Sequence, residues 1–117
     1  MKNNRKKVMI LTNHSYMLYR FRKELIEELM KNYDVVLSMP FVGHHEDFIN
    51  MGLRCIETKM ERRGVNPIHD FSLMKFYKKI LQEENSDLVI TYSIKPNVYG
   101  GLMCEKLNNP FYANVQG

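Results

Sequence analysis

Three short runs of this 117-residue chain are apolar without a break: VMIL from Val8 to Leu11, VVL from Val35 to Leu37 and LVI from Leu88 to Ile90. A strand with one wet face alternates apolar and polar side chains. Unbroken runs of this length therefore belong to strands covered on both faces, which points to a parallel sheet between layers of helix. The segments between the runs have helical period. The first, from about Tyr16 to Lys31, places Leu18, Phe21, Leu25 and Leu29 on one stripe and Arg22, Glu24, Glu28 and Lys31 elsewhere, with Asn32 at the C-cap position.

A second, short helix runs from about His45 to Met51 and stops at Gly52, and Leu53 to Lys59 then alternates as a partly exposed edge strand. Asn66-Pro67 is a cap and first-turn pair for a third helix whose apolar positions are Leu73, Met74, Tyr77, Ile80 and Leu81. A fourth helix begins at Pro96 and ends near Asn108-Asn109, and Phe111 to Val115 reads as a fifth strand. The expected fold class is α/β: a three-layer α/β/α Rossmann-like domain with a parallel sheet of about five strands in the order 3-2-1-4-5. Residues 1–117 form one domain, or part of a larger one.

No apolar run approaches the roughly 20 residues that span a bilayer. The basic start, Met1 to Lys7, is followed by too short an apolar stretch for a secretion signal. Cys55 and Cys104 lack CxxC spacing and read as buried thiols in a reducing, cytoplasmic setting. The net charge of +4 suits nucleic acid, anionic lipid or a phosphorylated substrate equally well. Single-stranded nucleic acid needs aromatic and basic residues interleaved along strands; these strands are aliphatic, so no nucleic-acid partner is expected. His44-His45-Glu46 resembles a metal half-site, with no third ligand placed by sequence, so it is read as a solvated loop and no metal is expected.

In the order 3-2-1-4-5, strands 1 and 4 are neighbours where the winding reverses, and open α/β sheets hold ligands beyond the carboxyl ends of such strands. The first strand-to-helix turn, TNHSYMLYR, has no glycine, so the G-x-G-x-x-G dinucleotide site is excluded; P-loop and G-x-S-x-G motifs are also absent. The candidate substrate-binding residues are Asn13, His14, Ser15, Arg62, Arg63, Tyr92, Ser93, Lys95 and Asn97, a set suited to phosphate and hydroxyl groups. Each has a plainer reading: Asn13 as a turn cap, His14 as a partner of a neighbouring loop, Arg62-Arg63 as solvated charge, Lys95 as a surface lysine. Lys95 precedes Pro96 and is expected to be extended, with its side chain in the crevice. Gly100-Gly101 weakens a helix and is expected to serve close packing on strand 4. Leu18-Tyr19-Arg20-Phe21-Arg22 mixes aromatic and basic groups that suit a membrane surface, although Leu18 and Phe21 are assigned to the core.

The segments LYRFRKELIEEL from Leu18, ERRGVNP from Glu61, TYSIKPNVYGG from Thr91 and PFYANVQG at the end resemble the N-terminal domain of family 4 glycosyltransferases of the GT-B fold, especially bacterial enzymes of capsule, exopolysaccharide and O-antigen assembly. The resemblance implies two Rossmann-like domains facing across a cleft, the N-terminal one holding the acceptor. It places the nucleotide-sugar donor site, with its E-x7-E glutamates, in a second domain, since no E-x7-E occurs here. It implies transfer of a hexose with retention and without metal or cofactor, to a lipid-diphosphate-linked or similar saccharide, in the cytoplasm at the inner face of the membrane. Asn13-His14-Ser15 stands where many members carry glycines for the donor phosphate. No catalytic residue is assigned, and the segment alone is expected to be inactive. Two other readings stay open: a non-catalytic acceptor- or membrane-binding subunit of a split glycosyltransferase, and half of a sugar-nucleotide epimerase. An uncovered strand 5 is expected to offer a sheet edge for self-association.

Overall fold

The computed structural model describes residues 5–59 and 67–114. Five parallel strands, β1 (Lys6–Leu11), β2 (Tyr33–Met39), β3 (Arg54–Glu57), β4 (Leu88–Tyr92) and β5 (Phe111–Asn114), lie in the order β3-β2-β1-β4-β5, as expected. Helices α1 (Ser15–Asn32) and α2 (His45–Asn50) cover one face; α3 (Pro67–Glu84) and α4 (Gly101–Lys106) cover the other. The central strand pairs Val8 to Leu11 with Val35 to Ser38 on one side and with Leu88 to Thr91 on the other. Its alternate side chains feed two separate cores. Val8 and Ile10 meet Leu18, Ile26 and Leu37 under α1, while Met9 and Leu11 meet Leu73, Tyr77, Ile80 and Met103 under α3 and α4.

Local chemistry sets the element ends. α1 starts because the His14 ring nitrogen Nδ1 accepts the Tyr16 N–H at 3.2 Å, and it runs one residue further than Lys31, so that Tyr33 rather than Asn32 is its C-cap. Pro67 opens α3, where its missing N–H costs nothing. Asn85 and Asn108, both at positive φ, end α3 and α4, the left-handed position that asparagine tolerates. The fourth helix is not a single α-helix: Pro96–Gly100 forms a π-helical turn that leads into α4.

The expected stripe of α1 is corrected. Phe21 and Leu25 are exposed, at 57% and 42%, and Ile26 is the buried anchor instead. Leu18, Ile26 and Leu29 face the sheet, so the stripe is rotated towards Tyr19 and Met30, and Phe21 is not a core residue. Gly100-Gly101 does serve packing, because a Cβ on Gly100 would lie 2.7 Å from Leu11 Cδ1 and one on Gly101 3.0 Å from Phe111 Cε2. Gly100→Val is expected to cost about 1–3 kcal/mol by overpacking, read as a lower urea midpoint.

The last turn of α3 is tied to two strands by one carboxylate. Glu84 is buried, with Lys7 Nζ at 3.0 Å and Arg54 Nη2 at 2.7 Å. Burial alone would raise its pKa, but the hydrogen bonds and charges of Lys7 and Arg54 win and hold it below the usual carboxylate value. A depressed folded pKa stabilises above the unfolded value near 4.5, and that stability disappears as pH falls through the folded pKa. The stability difference between wild type and Glu84→Gln is therefore expected to be full at pH 6 to 7 and to shrink below pH 4.5, measured by urea unfolding at each pH.

Candidate functional site

At the carboxyl ends of β1 and β4, where Leu11 pairs with Thr91, two loops meet at the point where the winding reverses. After β1, Thr12 is buried and its hydroxyl accepts the His14 N–H, while Asn13 sits half-buried at a bend. His14 is half-buried and caps α1. Ser15 is buried, and its hydroxyl donates to the Val42 carbonyl and accepts the His44 N–H at 2.9 Å. Ser15 thus fastens the loop after β2 to the start of α1. A Cβ on Gly43 would fall 2.8 Å from the Ser15 hydroxyl, which explains the glycine, at φ +94, in that loop.

After β4 the chain turns at Ser93, which is half-buried at φ +79. Tyr92 is buried on the α1 face, with the Arg22 guanidinium 5.7 Å from its ring centroid. Asn97 joins two strand ends: its side-chain carbonyl accepts the Thr91 hydroxyl at 2.6 Å, and its amide donates to the Asn114 carbonyl at 2.7 Å. Lys95 differs from expectation. It is helical, at φ −64 and ψ −46, rather than extended, because the positive φ of Ser93 makes the turn two residues earlier. It is also buried at 8%, with Nζ 2.9 Å from Asp70 Oδ1 in the first turn of α3. The Tyr99 hydroxyl donates to Asp70 Oδ2 at 3.0 Å, and this bond, with burial and the Asp70 charge, raises the Tyr99 pKa. Arg62 and Arg63 lie outside the described residues.

Asp70 was invisible to sequence reasoning, since one acid in the first turn of a helix reads as a partner for the helix dipole. A second group escaped notice as well. Tyr19 stacks on His44 with centroids 4.4 Å apart, Tyr16 lies 5.6 Å from the same ring, and Phe48 meets Tyr19 edge-on. Tyr16, Tyr19 and His44, with Arg20, Phe21, Lys23 and Glu24, border a groove of about 430 Å³. The signal was present in Tyr16, Tyr19, Arg20 and Lys23 at three- and four-residue spacing. The Tyr16 ring is already engaged, by His44 at 5.6 Å and by the Arg20 guanidinium at 5.7 Å. The hydroxyls of Tyr16 and Tyr19 accept from Arg20 and Lys23, and the Tyr19 bond raises the Lys23 pKa.

The site can therefore offer hydroxyl, imidazole and amide groups at a strand switch, with one internally neutralised cation. Cys55 and Cys104 are pushed up to about 11 by burial and stay protonated at neutral pH. His44 pairs with Asp47 at 2.7 Å, and no group of three His, Cys, Asp or Glu among the described residues is arranged to hold a metal.

No protein-family profile matches the sequence, and no curated protein matches it. Solved structures do match its fold. MurG of Acinetobacter baumannii superposes with a TM-score of 0.73 at 14% identity, over 92% of this chain and 33% of that one. A glycosyltransferase of Rickettsia africae gives 0.69 at 20% identity, over 95% and 30%. A putative UDP-N-acetylglucosamine 2-epimerase of Listeria monocytogenes gives 0.70 at 11%, over 93% and 30%. The chain thus spans about a third of the length of each, and likeness at these identities shows the shared fold.

The Lys95–Asp70 pair is buried enough for its loss to be felt. Lys95→Met is expected to cost about 3 kcal/mol, since it leaves Asp70 charged and unmatched by its lysine. Adding Asp70→Asn should return at least about 1 kcal/mol of that loss, a coupling read from a double-mutant cycle of urea midpoints.

Proposed function

We propose that the chain is the acceptor-side part of a retaining glycosyltransferase. The whole enzyme would move a sugar from a nucleotide-sugar to a saccharide acceptor, lipid-diphosphate-linked, at the inner membrane face during cell-surface polysaccharide assembly. One observation carries this reading: two loops with polar side chains lie side by side at the β1–β4 switch of a fold shared with MurG and with the Rickettsia glycosyltransferase.

Within that reading, Asn13 and His14 hydrogen-bond acceptor hydroxyls from the β1 side, and Ser93 does so from the β4 side. Arg62 and Arg63 supply charge for a diphosphate. Lys95, already held by Asp70, acts by fixing the β4 turn, and Asn97 and Ser15 fix the two loops. Tyr92 supports the floor. The contribution is preorganised electrostatics and positioning, with no proton transfer assigned to these residues and no metal or cofactor required of them. The donor site belongs to a second domain.

The Listeria neighbour favours a second reading, half of a sugar-nucleotide epimerase. The two separate by product. The natural gene product that contains these residues is incubated with UDP-sugars, with and without a membrane extract as acceptor source. Transfer to an extractable lipid-linked saccharide, with a 10- to 100-fold loss of kcat/KM in Arg63→Ala and a loss of up to about 10-fold in His14→Ala, is the expected result; these correspond to roughly 1.5–3 kcal/mol for a hydrogen bond to a charged group and roughly 0.5–1.5 kcal/mol for one to a hydroxyl. Conversion of the free UDP-sugar to its epimer without acceptor would overturn the proposal. A reading frame closed at Gly117 whose product transfers only with a second polypeptide would replace it with the split-enzyme form.

A further inference from the structure

The groove of about 430 Å³ on the flank of α1 that faces α2 has no role in the proposed transfer. That volume lies within the range of about 300–1,000 Å³ that small-molecule sites occupy. Its aromatic side is firmly held. Tyr19 stacks on His44 and meets Phe48 edge-on. His44 in turn is anchored by Asp47 at 2.7 Å through its ring and by Ser15 at 2.9 Å through its main-chain N–H.

The two cations that border this groove are held differently from those at the sheet ends. Lys95 is neutralised by Asp70, Lys7 and Arg54 share Glu84, and Arg5 lies 3.8 Å from Asp34. Arg20 and Lys23 have phenols instead. Arg20 Nη1 donates to the Tyr16 hydroxyl at 2.9 Å, and Lys23 Nζ donates to the Tyr19 hydroxyl at 3.3 Å. Each cation also lies over the ring of the same tyrosine, 5.7 and 4.9 Å from its centroid. A hydroxyl and a ring face fix a cation in place without cancelling its charge. Among the described residues neither group forms an ion pair; Glu27 and Asp47 act on Lys23 from beyond that distance, and Glu24 is the one carboxylate that borders the groove.

The donor inventory selects the ligand. One donor of each cation is spent on a tyrosine, which leaves the Nε and Nη2 edge of Arg20 as a fork and the rest of the Lys23 ammonium free of that bond. Each phenol that accepts from a cation keeps its own proton to donate. A neutral sugar needs acceptors for its hydroxyl protons as well as donors, whereas a phosphoryl oxygen only accepts. Residues three apart on a helix stand about 5–6 Å apart at Cβ, so Arg20 and Lys23 can reach separate oxygens of one anion. We infer that this groove is an anion site separate from the β1–β4 loops, which takes the phosphoryl or diphosphoryl group of a small phosphorylated ligand between Arg20 and Lys23. Binding alone is at issue, so the inference stands or falls independently of the sugar-transfer reading.

Titration of the 117-residue chain with inorganic phosphate and with pyrophosphate at constant ionic strength, followed by amide and arginine side-chain NMR shifts, tests it. The expected result is saturable binding, with shifts centred on Tyr16, Tyr19, Lys23 and the Arg20 Nε–H. Arg20→Gln and Lys23→Gln should each weaken it at least about tenfold, the loss of one charged hydrogen-bond donor. Tyr16→Phe and Tyr19→Phe keep both charges but release the clamp, so each should weaken it about threefold. Glu24→Gln should tighten binding, and Lys79→Gln, exposed on α3 across the sheet, should leave it unchanged. None of these side chains is in either core, so urea midpoints should stay close to wild type. No saturable shift, or equal shifts with sodium chloride, overturns the inference. Shifts centred on Asn13 to Ser15 and Ser93 to Asn97 also overturn it and assign the anion to the β1–β4 loops. A loss in Lys79→Gln as large as in Arg20→Gln reduces the groove to diffuse surface charge. A chain that binds neither phosphate but floats with vesicles of phosphatidylglycerol, and loses this with Arg20→Gln, assigns the pair to a membrane surface and overturns the inference as well.

Discussion

The burial of β1 on all sides is the constraint from which the other features follow. Met9, Ile10 and Leu11 are fully shielded from water, as are their neighbours Leu37 and Ser38 in β2 and Val89 and Thr91 in β4, while Ile90 is half-buried. Each such side chain contributes about 1.5–3 kcal/mol of transfer energy, but only if both faces of the strand are covered. Two helical layers are therefore obligatory, and the chain supplies them by winding first towards β3 and then, after β3, back across to β4. The reversal places β1 and β4 side by side with helices leaving on opposite faces. The meeting of two loops at their carboxyl ends is thus a by-product of burying β1.

α3 holds this arrangement from both ends. At about 1.5 Å per residue its 18 residues span the length of the strands. It carries a buried acid near each terminus: Asp70 meets Lys95 and Tyr99 at the carboxyl edge of the sheet, and Glu84 meets Lys7 and Arg54 at the amino edge. A buried ion pair adds little net energy compared with an apolar pair, yet it tolerates no slippage, because a shift of one helical turn would strand a charge in the interior. The apolar side chains of α3 set how strongly it adheres; its two acids set where it sits. Through Lys95 the same helix determines the path of the β4 turn that borders the crevice.

The sheet was legible in the sequence because unbroken apolar runs have one physical explanation, and the strand order followed from the winding rules. α1 shows where periodicity fails. Leu18, Phe21, Leu25 and Leu29 fit a helical stripe, but so do Leu18, Arg22, Ile26 and Leu29, and the second set faces the sheet: Leu18 and Ile26 are buried, Leu29 is half-buried, and half-buried Arg22 spreads its guanidinium over Tyr92. A charged residue that covers an aromatic ring looks, in sequence, like a solvent-facing one. Lys95 failed for a related reason. Its polarity and its place before Pro96 were read locally, whereas its conformation and burial depend on an acid 25 residues earlier. Of the expected site, the loops at β1 and β4 came together as anticipated; what the side chains there were already bonded to was not encoded at any fixed spacing.

That distinction bears on how such a crevice can recognise an anion. A lysine with its ammonium 2.9 Å from a carboxylate presents almost no net charge to a ligand, and separating the pair would expose Asp70 to the low-dielectric interior. On the proposed reading, attraction for a diphosphate at this end of the sheet would fall to other groups, such as main-chain N–H groups at the turns. A site of that kind would be positive through oriented dipoles while the buried lysine stays structural. It can change ligand by altering a loop without disturbing the pair that holds the β4 turn, which fits one fold serving glycosyl transfer in some neighbours and epimerisation in another.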